Sequence, residues 1–195
     1  MKKITVCLLV CIFIFGVTGC KSRDVKVVEE LIDEIGEVDI DSGKAIEEAQ
    51  DAYDDLTPSE RREVENYSVL EDAIEAYNMI PVGTWVATYT EDTYSYYYDR
   101  STRYDHFSEP GDTVEIIAEL SSDGRGVGYR HNVDTGATDE TGSFSWSIDF
   151  DGVVDVGGAS YRLRLVDDEF ALLTLDNYGY DFYMQGSSSS GGFGK

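Results

Sequence analysis

The chain has 195 residues, and its 39 Asp and Glu outnumber 15 Lys and Arg for a formal net charge of −24. Phosphate neutralisation needs a basic face, so nucleic acid is not an expected partner. Three cysteines and two histidines leave few residues for thiol, imidazole or zinc chemistry, and the length suits one medium domain or two small ones.

At the N-terminus, Lys2 and Lys3 precede an apolar stretch from Ile4 to Val17 that turns polar at Lys21-Ser22-Arg23-Asp24. This is the layout of a secretory signal. It is shorter than the roughly 20 apolar residues a membrane-spanning helix requires. Val17-Thr18-Gly19-Cys20 resembles the lipobox of bacterial lipoproteins. The resemblance implies a signal peptide over residues 1–19, lipid attachment at Cys20, and a cell-membrane location facing the extracellular side, with residues 20–23 as lipidated terminus and linker. Cys7 and Cys11 then leave with the signal, so no internal disulfide can form and the exported part must rely on its core. The acidic charge covers both halves of the remainder. It keeps the surface soluble and repels anionic lipid while the acyl anchor holds the chain to the membrane.

Residues 24–80 read as a small antiparallel helical bundle. Val25, Val28, Leu31, Ile32 and Ile35 recur at helical spacing, and Gly36 supplies a stop. Asp41 or Ser42 can cap a second helix with Ala45, Ile46, Ala49, Tyr53 and Leu56 on its buried stripe. Thr57-Pro58-Ser59-Glu60 has a capping Thr, Pro at the first helical position and Glu three residues after the cap, which predicts a new helix there. It carries Val64 and breaks near Asn66-Tyr67, after which Val69, Leu70, Ala73, Ile74 and Tyr77 mark the last helix. Helices this short must pack on one another to persist.

The set Leu31-Ile32, Ile35-Gly36, Ser42, Ile46, Ala49, Ala52-Tyr53, Leu56, Arg61, Val64, Asn66-Tyr67, Leu70, Ala73 and Tyr77 resembles a helical module of surface and secreted proteins of Gram-positive anaerobes. The resemblance implies a structural or spacing element without catalytic residues, and a Gram-positive envelope.

From Pro81 the periodicity changes to two. Val114, Ile116, Ala118 and Leu120 alternate with Thr113, Glu115, Ile117 and Glu119, and Phe144, Trp146, Ile148 and Phe150 alternate with Ser143, Ser145, Ser147 and Asp149. Further strands are expected over residues 84–90, 126–132, 153–156, 160–166, 169–175 and 178–184. Between them lie hairpin-type turns: Ser122-Asp123-Gly124, Asp151-Gly152, Gly157-Gly158, Asp167-Asp168 and Asn177-Tyr178-Gly179. Seven or eight sequential antiparallel strands with short turns predict an up-and-down meander over residues 81–185 that closes into a barrel, because closure removes exposed edges. The expected class is therefore α+β in two segregated parts, a helical bundle followed by a β-barrel, with a flexible Gly/Ser tail over residues 186–195.

Gly83-Thr84-Trp85 on the first strand, followed by a meander with an Asp-Gly turn between Glu115 and Gly126, resembles the lipocalin-like domains of bacterial lipoproteins. The resemblance implies a barrel that binds a small hydrophobic molecule or a glycan. A small barrel is equally able to fill with its own side chains.

The segment from Tyr89 to Asp112 exceeds what a meander turn needs. It holds Tyr89, Tyr94, Tyr96, Tyr97, Tyr98 and Tyr104 with Arg100, Arg103 and His106, residue types suited to recognition. It reads either as a binding loop or as a strand pair whose tyrosines pack on the scaffold. Candidate ligand contacts are Trp85, Tyr96, Tyr98, Tyr104, His106 and Trp146. Catalysis is not expected, since His106 and His131 have no zinc-type spacing and no phosphate loop is present. The acidic stretches Asp39-Ile40-Asp41 and Asp134 to Glu140 depart from the EF-hand pattern, so no metal or cofactor is assigned. Two functions remain: a lipocalin-like binding module, which needs an open cavity lined by inward aromatics, and a structural or spacer protein mediating protein–protein contact, which needs a filled core and an exposed aromatic patch.

Overall fold

A computed structural model describes residues 22–97, 105–175 and 179–186. The expected signal peptide, Cys20, Tyr98, Tyr104 and most of the Gly/Ser tail lie outside the described residues.

Among the described residues three α-helices precede the strands: α1 (Arg23–Ile35), α2 (Gly43–Asp54) and α3 (Tyr67–Met79). Helix α1 is capped by Ser22, whose hydroxyl accepts from the Val25 N–H at 3.2 Å, and it buries Val25, Val28, Ile32 and Ile35. Gly36 ends it with a φ of 68°. Helix α2 contributes Ile46 and Ala49, and α3 contributes Leu70, Ala73 and Tyr77, to the same apolar cluster. Val69 lies on α3 as expected, on its exposed face. Ser42 sits at the N-cap position of α2 without capping it. Its hydroxyl instead bonds Asp39, accepting from the backbone N–H at 2.9 Å and donating to the carboxylate at 3.0 Å.

The helix expected from Pro58 is not formed: only a single 3₁₀ turn, Arg61–Glu63, follows. The capping box itself is present, with the Thr57 N–H donating to Glu60 at 3.1 Å and the Glu60 N–H to the Thr57 hydroxyl at 3.4 Å. Tertiary contacts end the helix early. Val64 is extended and buried in the helical core, and the next residues are tied to α1. The Glu65 N–H donates to Glu29 at 2.8 Å, and Asn66 Nδ2 donates to the Glu29 carbonyl at 3.0 Å and to Asp33 at 2.8 Å. A continued helix would carry these donors away from α1.

The strands are β1 (Gly83–Thr90), β2 (Ser95–Tyr97), β3 (Asp105–Ser108), β4 (Thr113–Leu120), β5 (Arg125–Asn132), β6 (Thr138–Ile148), β7 (Val153–Val156), β8 (Ala159–Val166), β9 (Glu169–Thr174) and β10 (Phe182–Met184). Eight of them, β1 and β4 through β10, close an antiparallel barrel in which each strand pairs with the next and β10 returns to β1. The β2–β3 hairpin forms a separate two-stranded sheet within the β1-to-β4 connection. Two-residue turns at Gly157-Gly158 and Asp167-Asp168 carry positive φ at both central residues, the geometry that matches strand twist in tight hairpins.

Side chains alternate across the wall as the period of two requires. Trp85, Ala87, Val114, Leu120, Val154, Leu163, Leu172 and Phe182 point inward and are buried. The helical and barrel cores meet. Ile80 and Ile148 pack against both clusters, and Phe150, expected at the end of a strand, lies beyond β6 and packs with Tyr77 against the helices. At this seam Gly43 of α2 backs onto the Phe150 carbonyl and the Tyr77 ring so closely that a Cβ would overlap both.

Candidate functional site

Trp85 stands at the centre of the barrel floor, where the first strand enters it. Its indole is fully buried, and Nε1 donates to the Pro81 carbonyl at 2.8 Å. The space left beside it, bounded by Ala118, Leu120, Val156, Tyr161, Leu172 and Phe182, is about 20 Å³. That is near the volume of one water molecule. Trp146 is also buried, its Nε1 shared between the Ser121 and Arg125 carbonyls at 2.9 and 3.1 Å. Both tryptophans thus use their one donor on backbone at the closed end and spend the ring on packing.

The opposite end is covered by the β2–β3 hairpin. Phe107 on β3 is fully buried, and the Arg130 guanidinium carbon lies 4.5 Å from its ring centroid. Arg130 reaches inward from β5 and pairs with Asp139 of β6 at 2.9 Å. Asn132, buried at the end of β5, anchors the cover. Its Nδ2 donates to the Phe107 carbonyl and to the Asp112 carboxylate, both at 2.8 Å, while its Oδ1 accepts from the N–H groups of Asp134 and Thr135 at 2.9 and 3.0 Å.

A second tie runs through Glu91, a buried carboxylate just past β1. It accepts from the Ser108 hydroxyl at 3.0 Å, and Ser108 in turn bonds Ser95 across the hairpin. Tyr89 lies next to it and stacks on Tyr180 at 5.0 Å. Burial pushes the Tyr89 phenol above the usual tyrosine range, with the Glu91 charge adding to the effect. Asp112 is held below the usual carboxylate range by the Glu109 backbone N–H and the Asn132 amide.

On the outer side of the hairpin, Tyr94 and Tyr96 flank His106. The ring centroids lie 5.6 and 5.7 Å from the imidazole, the second pair edge to face. Tyr94 is 60% exposed and Tyr96 56% exposed. The structure therefore divides the sequence-derived candidates. Tyr96 and His106 come together on a solvent-facing aromatic surface, whereas Trp85 and Trp146 are buried in the barrel core. Asn132, Glu91, Arg130 and Phe107 organise the barrel mouth without having been candidates. Only Asn132, followed by Asp134-Thr135-Gly136, carried a local signal, that of an Asx turn.

Among the described residues no cluster of three or more His, Cys, Asp or Glu is placed to hold a metal ion, and no helix is long and apolar enough to cross a membrane. No protein-family model and no curated protein matches the sequence.

Proposed function

We propose that this is a lipid-anchored, non-enzymatic binding protein of a bacterial envelope, Gram-positive by the resemblance of its helical module. Its lipocalin-like barrel engages a protein or glycan partner through the exterior of the β2–β3 hairpin. Lipidation at Cys20 places the helices nearest the membrane and the barrel outward, so the helical module sets reach and the hairpin faces the medium. The observation that carries this reading is the contrast between a barrel floor with about 20 Å³ of free space and an exposed Tyr94–His106–Tyr96 surface. Drug-sized ligands occupy pockets of roughly 300–1,000 Å³, whereas exposed tyrosines with a polar tip suit recognition at low entropic cost.

A second reading, a small hydrophobic molecule held inside, is favoured by the closed eight-stranded barrel. It requires the packing around Trp85 to open.

Thermal-shift measurements against cell-wall and host glycans, fatty acids and sterols test both readings, together with photocrosslinking at Tyr96 on intact cells. A ligand at 100 times its Kd adds about 2.7 kcal/mol to folding stability. Glycan stabilisation that disappears in Tyr96→Ala, or a protein crosslink from Tyr96 that disappears in Tyr94→Ala, supports the hairpin reading. Stabilisation by fatty acids or sterols that survives Tyr96→Ala supports the interior reading instead. With neither a shift nor a crosslink, the hairpin reading fails.

A further inference from the structure

The barrel exterior carries an apolar row that is invisible in any single strand. Ala171 of β9 pairs with Tyr183 of β10, Tyr183 with Val86 of β1, Val86 with Ile117 of β4, and Ile117 with Tyr129 of β5. All five sit at outward positions by register, one residue out of phase with Trp85, Ala118 and Leu172, but Ala171 is fully covered, so the accessible row runs from Tyr183 to Tyr129. The accessible row crosses three interstrand gaps of about 4.8 Å, a length of roughly 14 Å along the curved wall. Tyr183 is 42% exposed, and Val86, Ile117 and Tyr129 are half-buried.

The flanks of the row are acidic. Glu115 and Glu119 stand two residues to either side of Ile117 on the same face, and Glu140 pairs with Tyr129 at one end. Burial pushes the Tyr129 phenol up, and the charges of Glu119 and Glu140 push it further. An open groove of about 450 Å³ adjoins the other end, lined by Val86, Thr88, Tyr183, Glu169 and Asp181. Among the described residues, Arg164, paired with Ala171, and His131, paired with Glu115, are basic side chains near this surface.

We infer that this wall is a docking surface for a cationic amphipathic helix of another protein. A row running across strands offers side chains rather than a free backbone edge, so its complement is a side-chain stripe, not an added strand. About 14 Å corresponds to some two and a half helical turns. Apolar residues on one face would cover Val86, Ile117 and Tyr129, and Lys or Arg on the stripe's borders would meet Glu115, Glu119 and Glu140. A second copy of this chain is the wrong occupant on charge, since each copy carries −24. The surface is separate from the hairpin, and the inference does not depend on the hairpin reading.

The test uses the full chain in nonionic detergent with a photoreactive phenylalanine analogue at Ile117 or, in a parallel sample, at Tyr96. The probes are two 15-residue Leu-faced helical peptides, one bordered by Lys and the other by Glu, which present equal apolar faces to protein and detergent. The Lys peptide should crosslink at Ile117 about tenfold more than the Glu peptide, and the excess should fall as salt is raised toward 1 M. Glu115→Lys with Glu119→Lys, both surface changes, should reverse the preference. Equal yields with the two peptides, no crosslink at Ile117, or crosslinks joining two copies of this chain would overturn the inference. The Tyr96 sample reports on the hairpin by itself, so failure at the wall leaves that reading standing.

Discussion

Asn132 Nδ2 donates to the Phe107 carbonyl at 2.8 Å, joining the end of one barrel strand to the excursion that covers the barrel mouth. The same side chain closes the β5–β6 turn through its Oδ1, so a single amide holds both the wall and its cover. Replacing it by Ala removes four hydrogen bonds and strands buried partners. We expect a loss of about 3 kcal/mol, and a melting point lower by roughly 2–4 °C for each kcal/mol in a chain of this size. Chemical denaturation measures it, and limited proteolysis should show earlier cleavage within residues 91–112. A loss under about 1 kcal/mol would mean that the anchor contributes little.

Phe107 and Tyr96 lie close together on the hairpin but have opposite expected effects. Phe107→Ala empties a fully buried site and should cost about 3–5 kcal/mol. Tyr96→Ala removes an exposed ring and should stay within about 0.5 kcal/mol of the parent. If Tyr96→Ala destabilises as strongly as Phe107→Ala, the tyrosine packs structurally and the recognition surface proposed for it is wrong.

Gly43→Ala offers a test of sign. In an isolated helix, Gly to Ala gains about 1 kcal/mol. Here the new methyl would overlap the Phe150 carbonyl and the Tyr77 ring, so the substitution should destabilise by about 1–3 kcal/mol, as overpacking does. A raised melting point would show that α2 does not seat on the barrel in this way.

Acid should loosen the hairpin anchor through Asp112. The Glu109 N–H and the Asn132 amide favour its ionised form, so its folded pKa lies below its unfolded value. The stabilisation is therefore complete above the unfolded carboxylate pKa, near 3.9, and is lost as pH falls through the folded one. Denaturation curves from pH 6 to pH 2 should show Asp112→Asn less stable than the parent at the upper end and converging with it at the lower. Parallel curves would remove Asp112 from the acid response.

Buried tyrosines set the alkaline limit. Burial raises the Tyr77 phenol, and the charges of Asp149, Asp151 and Asp41 raise it further. Stability from the neutral phenol is complete below the unfolded tyrosine pKa, near 10, and is lost as pH rises through the folded value. Tyr77→Phe should therefore lose stability less steeply above pH 10 than the parent, read by circular dichroism at fixed temperature. An identical slope would contradict the argument.

The sequence by itself determined most of the apolar residues of α1 to α3, the presence and order of the eight barrel strands, and the tight turns at Gly157-Gly158 and Asp167-Asp168, because hydrophobic period and turn chemistry are local properties; β6 starts five residues before the expected strand, and the expected Asn177-Tyr178 turn lies outside the described residues. It also carried the order of the strands joined by short turns, which favour neighbouring antiparallel pairs, whereas β1 pairs with β4 across the long 91–112 connection. Tertiary structure decided the rest. Whether Pro58 starts a helix depended on Asn66 and Glu65 reaching α1, a contact across more than thirty residues. Whether Trp85 lines a cavity or fills one depended on how closely Leu172, Phe182 and Tyr161 approach it, which alternation along one strand does not encode. The outward row from Tyr183 to Tyr129 exists only in the pairing register of four strands, and the buried Glu91 and Asn132 reach Ser108 and Phe107 only when the hairpin folds over the mouth. Such groups look like ordinary surface polars in the sequence, because burial and partnership belong to the closed barrel and not to any segment of it.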